Sequence, residues 1–462
     1  MEYILGNDRS QMQFFALEEL VAQDSWARII DLFVDILPLG ELGFKHASIK
    51  KQGRPPYDPA AMLKLYMYGY KYAIRSSRKL EHASKVNVEL WWLLKGLTPS
   101  FRSIAYFRKE NAAAFKLAFR HFVVILQEMD LIDGETIAVD SFKIRAQNSL
   151  KNYFSQKKLD RHIEYIDRKI EEYEQELKTA DAAEQAELKV KIDTKKNRKQ
   201  SYKAIEKQLV ESGENQICLT DKDAKLVPVQ GIAYMPGYFI QAVTDSKHKL
   251  FVHNDIHGDT DYRSLAPMAI DTKILLKKER LSTLADGGYF NNDQINTCHT
   301  EGILTYCPPF ARAPSENGYF HVSKFKYNKA EDVYICPAGT KLYRPKLTHH
   351  KSKVDPKRQT YYAGTQACKN CTLRHACTNR KEGRTVDRPK FQDVVDANNE
   401  RILANPEYYR VRQQIIEHQF GTMKRQLGFT FTLMKGKKNV LSEANLLMIV
   451  YNLKRSFTIL GP

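Results

Sequence analysis

No apolar run in this 462-residue sequence approaches the length needed to cross a bilayer. Its first residues also lack the charged-then-apolar order of a secretory signal. Both absences argue against a membrane-embedded role and make the cytoplasm the expected location. Cysteine is scarce, at seven residues, and in that compartment thiols or metal ligands are expected rather than disulfides. Acidic residues are outnumbered: 54 Asp and Glu against 72 Lys and Arg leave a formal charge of +18. Such an excess points to a polyanionic partner, most simply nucleic acid, because basic residues are the poorer route to solubility. What is present is ordinary for a globular protein, with 43% hydrophobic and 27% charged residues. The length allows two or three domains and a substantial core.

Proline is missing from the stretch Tyr408–Leu427, where Ile416, Phe420, Met423 and Leu427 recur at helical spacing. Glu417 stands one residue round from that apolar stripe. Arg410 and Lys424 lie seven residues either side of it, about two turns, so the three share one line on a regular helix. A carboxylate between two cations suits a metal site that handles phosphates; the same pattern also describes a surface salt-bridge stripe.

Residues 1–130 are expected to form an all-α domain. Helical segments are predicted at Ser25–Leu37, Ala60–Ala73, Lys79–Val86, Val88–Leu94, Ser100–Lys109 and Ala112–Met129. Short helices joined by tight turns, with Arg75, Arg78, Lys79, Arg102, Arg108 and Lys109 at polar positions, fit a helix-turn-helix-like DNA-binding unit. A plain helical bundle with a basic surface is the alternative. Within Ala112–Met129, Phe115, Leu117, Phe119, Phe122 and Leu126 are the expected packing face.

Residues 131–462 read as an α/β domain with a mixed sheet. Strands are expected at Glu135–Ile144, Gly237–Thr244, Leu250–Ile256, Leu281–Ala285 and Gly302–Cys307, with helices near Leu265–Leu276 and from Asn292. Asp140 stands at the far end of the first apolar run, and Asp286 ends the fourth strand before two glycines, which let the backbone turn closely round a phosphate or metal. Asp140, Asp286 and Glu417 would meet at one end of such a sheet. Two divalent ions need shared oxygen ligands of this kind, and Mg²⁺ prefers carboxylates with water and phosphate oxygens.

Two insertions interrupt this domain. Over 151–212, Leu159, Ile163, Ile166, Ile170, Tyr173 and Leu177 alternate four and three apart, then Leu188, Ile192, Tyr202, Ile205 and Leu209 form a softer seam. A projecting coiled-coil hairpin is expected, its first arm about 28 Å long. Over 308–400 the chain is basic, and Cys336 precedes Cys368, Cys371 and Cys377 in a C-x₂-C-x₅-C cluster. Four thiols can hold a tetrahedral Zn²⁺ that folds an insertion lacking its own core, with His375 a substitute ligand and buried reduced cysteines the alternative. Lys346, His349, His350, Lys351, Lys353, Lys357 and Arg358 form a basic loop suited to DNA or simply to solvent. Cys218, Cys298 and Cys307 are expected to be structural. A final helix is predicted over Ser442–Leu460, covering the sheet.

Ala138–Ser141, Ala285–Tyr289 and Ile416–Gly428 resemble the three acidic motifs of bacterial insertion-sequence DDE transposases. Tyr72–Glu81 resembles that family's helical N-terminal domain, so the resemblance spans nearly the whole chain. It implies a ribonuclease-H-like catalytic domain in which Asp140, Asp286 and Glu417 bind two Mg²⁺ ions. It also implies DNA strand cleavage and transfer at the terminal inverted repeats of an element, into target DNA, by an oligomer assembled on DNA in the nucleoid. The related Tyr, Arg, Glu, Lys signature is matched at Glu417 and Lys424 only: Gln413 stands at its Arg position and Arg410 at its Tyr position. Arg410 or Arg412 is left to hold a phosphate, beside Lys424 and Arg425. The other readings are a hydrolytic nuclease on the same fold and an inactive transposase-derived DNA-binding regulator, against which the intact acidic trio argues.

Overall fold

A computed structural model of the chain describes residues 10, 12, 14–48, 55–229, 232–258, 260–309, 319–344, 358–389 and 391–461. The basic loop residues Lys346, His349, His350, Lys351, Lys353 and Lys357 lie outside them. In chain order, the helices α1 (Trp26–Asp35), α2 (Pro59–Lys71), α3 (Ser77–Val86), α4 (Val88–Leu93), α5 (Phe101–Glu110) and α6 (Ala112–Glu128) come first. Their starts are encoded locally: Ser25, Asp58 and Ser100 each accept a backbone N–H of the first turn, and Pro59 opens α2. Then follow β1 (Thr136–Arg145), β2 (Tyr153–Ser155), α7 (Gln156–Glu176), α8 (Ala182–Ser212), β3 (Gln216–Cys218), β4 (Lys225–Val229), β5 (Ile232–Asp245) and β6 (Phe251–Asp255). Next are α9 (Leu265–Leu275), β7 (Leu281–Ala285), α10 (Asn292–Thr300) and β8 (Ile303–Tyr306). The cysteine-bearing insertion holds β9 (Lys326–Asn328), β10 (Val333–Ile335), β11 (Lys341–Tyr343), β12 (Arg358–Tyr362), α11 (Thr365–Lys369) and β13 (Thr385–Pro389). The chain ends with α12 (Gln392–Ala404), α13 (Pro406–Gly421), a π-helical turn over Thr422–Gln426 and α14 (Lys437–Leu460).

Contacts divide the chain into two units that do not follow its order. The larger comprises Met1–Asp133, Asp140–Asp261 and Ile415–Pro462; the smaller comprises Gly134–Val139 and Tyr262–Gln414. In the larger unit β4 and β6 flank β5 in antiparallel pairings, and β5 neighbours the second half of β1. Gly237 is required there, because a Cβ on it would lie 2.4 Å from the Ile144 carbonyl oxygen. The helices α2 and α6 and strand β6 all pack on α14, so the N-terminal helices and the last helix share one core. That explains why α14 is buried nearly all round, including Glu443, Asn445 and Asn452. Asn452 accepts from the Phe251 N–H at 2.9 Å and donates to its carbonyl at 2.8 Å, standing in for a neighbouring strand at β6. The expected position of Leu117 in the α6 packing face is corrected: it is exposed, because the burial stripe runs through Phe115, Phe119, Phe122 and Leu126.

The coiled-coil expectation matches the antiparallel contact of α7 with α8. Leu159, Ile166, Tyr202 and Leu209 form a buried seam with Phe154, flanked by Ile163, Ile170 and Ile205. Asp181 caps α8 and Gly213 ends it at φ 66°.

In the smaller unit β7 pairs in parallel with the first half of β1 and with β8. The helices α9, α10 and α12 pack beside them. A second, antiparallel sheet ordered β13-β12-β11-β10-β9 organises the insertion. The sequence pattern did not reveal it, since β9, β10 and β11 span three residues each, too few for alternation to register. The same holds for α12, which begins inside the stretch assigned to that insertion. The parallel and antiparallel pairings with surrounding helices make a mixed α/β fold, consistent with a ribonuclease-H-like arrangement.

Candidate active site

Asp140 lies in β1 and Asp286 directly after β7, and the pairing of those strands fixes their register. The last pair of the parallel ladder is Val139↔Ala285, and the next residue on each strand is an aspartate. Asp286 also caps the short 3₁₀ turn Gly287–Tyr289, its Oδ1 accepting the Gly288 N–H at 2.9 Å. The glycine pair thus turns the chain while one carboxylate oxygen holds the turn.

Asp286 has neighbours that the sequence did not reveal. The Cys307 thiol donates to the Asp286 carbonyl oxygen at 3.1 Å, and Cys307 itself follows β8. Burial first, then the charges of Asp286 and Cys298, hold the Cys307 thiol well above its ordinary value, which Arg412 partly opposes. The thiol is therefore protonated and a donor, which fits the structural role expected for it. Asn398 on α12 is buried and fixes the same strand end: it accepts from Thr305 Oγ1 and the Cys307 N–H and donates to the Cys307 carbonyl at 2.8 Å. On α13, Tyr409 is raised by burial, with Arg412 lowering it and Cys307 and Asp286 raising it. Those interactions place Tyr409 and Arg412 in the surroundings of Asp286.

In the larger unit, Phe142 meets Phe420 with ring centroids 5.0 Å apart. Phe142 lies two residues beyond Asp140, on the same strand face. Phe420 lies about one turn beyond Glu417. Glu417 itself is exposed, while Ile416, Met423 and Leu427 are buried, as the apolar stripe requires. The expectation of one continuous α-helix is corrected, because the π turn over Thr422–Gln426 shifts the phase. Lys424 is half-buried, and burial together with Lys143 on β1 holds its ammonium below the ordinary value.

Three of the arginines expected at polar or DNA-facing positions are buried. Arg75 is 5% exposed: its guanidinium donates to the carbonyls of Gly428 and Phe431 at 2.7 and 2.6 Å and pairs with the fully buried Glu443 at 2.9 Å. Glu443 also accepts the backbone N–H groups of Leu433 and Met434. Arg75 thus ties the segment after the π turn to α14, a structural task. Arg412 is 7% exposed and turned to Tyr409 rather than to solvent. Arg108, also placed at a polar position, is buried against Tyr66 and Tyr70. By contrast Arg78, Lys79, Arg102, Arg410 and Arg425 are exposed, and the guanidinium groups of Arg78 and Arg102 both lie against the Phe101 ring.

Oxygen-only donors suit a hard divalent cation such as Mg²⁺. Among the described residues no three His, Cys, Asp or Glu side chains are gathered closely enough to hold an ion as they stand.

No helix among the described residues is long and apolar enough to cross a membrane. No curated protein and no solved structure matches the chain. Two families do: residues 15–110 match the one described as Transposase domain (DUF772), and residues 335–457 match the Transposase DDE domain. The second match includes Glu417 but neither aspartate, and the first covers α1 to α5. The chain thus carries one stretch similar to a transposase N-terminal domain and another similar to a transposase DDE domain.

Proposed function

We propose that Asp140, Asp286 and Glu417 act as one site that cleaves element-end DNA and joins it to a target. The observation that carries this reading is the β1–β7 register: the ladder ends at Val139↔Ala285, and an aspartate follows on each side.

Asp140, Asp286 and Glu417 would hold two Mg²⁺ ions, which when bound activate the attacking oxygen and stabilise the leaving one. The remaining residues position DNA. Exposed Arg78, Lys79 and Arg102 on α3 and α5 receive duplex phosphates. Lys143 and Lys424, two cations set close together, receive the phosphate next to the scissile one, which relieves their mutual repulsion. Arg410 and Arg425 add exposed charge on either side of Glu417. Terminal inverted repeats are the expected substrate, and pairing of two ends makes an oligomer on DNA the working form.

The test uses Asp286→Asn, which keeps the cap on Gly288 but removes the charge, together with Asp140→Asn and Glu417→Gln. Each variant should lose cleavage and strand transfer by about 10³-fold or more in Mg²⁺ while still shifting element-end DNA in a gel. Retained cleavage in any of the three overturns the site. Wild-type cleavage with no joined product would favour a hydrolytic nuclease instead.

A further inference from the structure

The insertion's sheet has a small core. Phe325, Tyr334, Leu342, Tyr361 and Val386 form a buried cluster, with Cys336 and Cys377 packed against them. A unit with so little apolar burial needs a staple, either covalent or metallic. Four thiols occupy the place where one would sit. Cys336 follows β10, Cys368 lies in α11, Cys371 follows it, and Cys377 closes the 3₁₀ turn Arg374–Ala376. All four line one pocket, whose other walls include Pro337, Thr340, Leu342 and Arg384 and which no carboxylate or histidine among the described residues lines.

The backbone around the sulfurs is arranged for thiolates. The Thr340 N–H points to Cys336 Sγ at 3.3 Å and the Arg384 N–H to Cys368 Sγ at 3.4 Å. Gly383 has φ +93°, and a Cβ there would stand 3.0 Å from Cys368 Sγ, so a glycine is needed for the chain to approach the sulfur so closely. His375 is exposed and absent from the pocket wall, which removes it as a substitute ligand. The thiols are free, and as they stand no three donors close on an ion position among the described residues. Neutral thiols exert no mutual pull, and binding an ion would require their side chains to turn toward one point within the shared pocket.

We propose that Cys336, Cys368, Cys371 and Cys377 bind one structural zinc ion that fastens α11 and the following turn to the insertion's sheet. Four sulfurs without oxygen donors select a soft, tetrahedral ion over Mg²⁺ or Ca²⁺. Each ligand gives up its thiol proton to solvent, and the N–H groups of Thr340 and Arg384 remain as donors to the bound sulfurs. The ion is remote in role from the acidic site: it folds the insertion and takes no part in phosphodiester chemistry.

The full chain, purified without chelator, should contain about one zinc ion per polypeptide by elemental analysis. A mercurial thiol reagent should release that zinc in step with the titration of four thiols. Paired substitution Cys368→Ser and Cys371→Ser should abolish binding, whereas Cys298→Ser and Asp286→Asn should retain it. Substoichiometric zinc in the wild type, zinc lost with Asp286→Asn but not with the cysteine pair, or a disulfide among the four on non-reducing peptide mapping would each overturn the proposal. If the paired variant is insoluble, mercurial release from the wild type decides alone. None of these readouts depends on DNA cleavage, so failure here and failure of the catalytic assignment are separable.

Discussion

Single residues divide here into those whose type declares their role and those whose role depends on distant partners. Asp140 and Asp286 stand out in the sequence because a carboxylate at the end of an apolar run is unusual unless it caps or binds something. Arg75 carried no such sign, since its partners Glu443, Gly428 and Phe431 lie at the far end of the chain. Breaking a buried pair strands one charge, so Arg75→Ala should cost roughly 3–5 kcal/mol in denaturant unfolding. Arg78→Ala should stay within about 0.5 kcal/mol of wild type and weaken DNA binding instead. The reverse pattern would return Arg75 to the DNA face. Asn398 was equally silent. Asn398→Ala leaves the Cys307 N–H and carbonyl unpaired in a buried place, a cost of about 1–3 kcal/mol for each orphaned group. Unfolding at unchanged midpoint would show that water replaces the amide.

At the scale of elements, the helical hairpin was the most legible, because a repeated 3.5-residue period needs no tertiary information. It also carries a pH response. His162 stacks on Tyr202 with centroids 5.1 Å apart, and burial, then Lys158, Arg161 and Arg198, lower its affinity for a proton below the ordinary 6.5. The unfolded chain therefore binds this proton more readily than the folded hairpin. Stability is full above pH 6.5 and is lost as pH falls through the lowered folded value. Thermal unfolding should show a hairpin transition that moves down as pH falls below 6.5, and His162→Gln should flatten that slope. A slope unchanged by the substitution would place the effect elsewhere. The π turn at Thr422–Gln426 was the least legible element, because its residues have ordinary helical propensity and only packing of Met423 and Leu427 distinguishes it.

For the whole molecule the governing quantity is the formal charge of +18. Binding to element-end DNA should weaken steeply with salt, and the triple variant Arg78→Ala, Lys79→Ala, Arg102→Ala should reduce the log–log salt slope by roughly 2–3. An unchanged slope would mean that duplex phosphates contact another surface. The two compact units also have a consequence at this scale. Each draws on segments from separate parts of the chain, so neither corresponds to a contiguous truncation. A fragment ending near residue 130 lacks α14, on which α2 and α6 pack, and should be unstable in isolation when tested by limited proteolysis.

By itself the sequence determined the helices of the first 130 residues, the hairpin seam, the strands that lead to the two aspartates, and the identity of the thiols and acids. These follow from periodicity, capping and side-chain chemistry, all local properties. Tertiary structure decided which strands pair, and so the Val139↔Ala285 register that brings each strand to an aspartate. It decided that Arg75 serves the core and Arg78 the surface, and that strands too short to show alternation assemble around four cysteines. Those outcomes depend on burial and on partners far away in the chain, and a side chain's charge or size does not reveal which neighbours will surround it once the chain has packed.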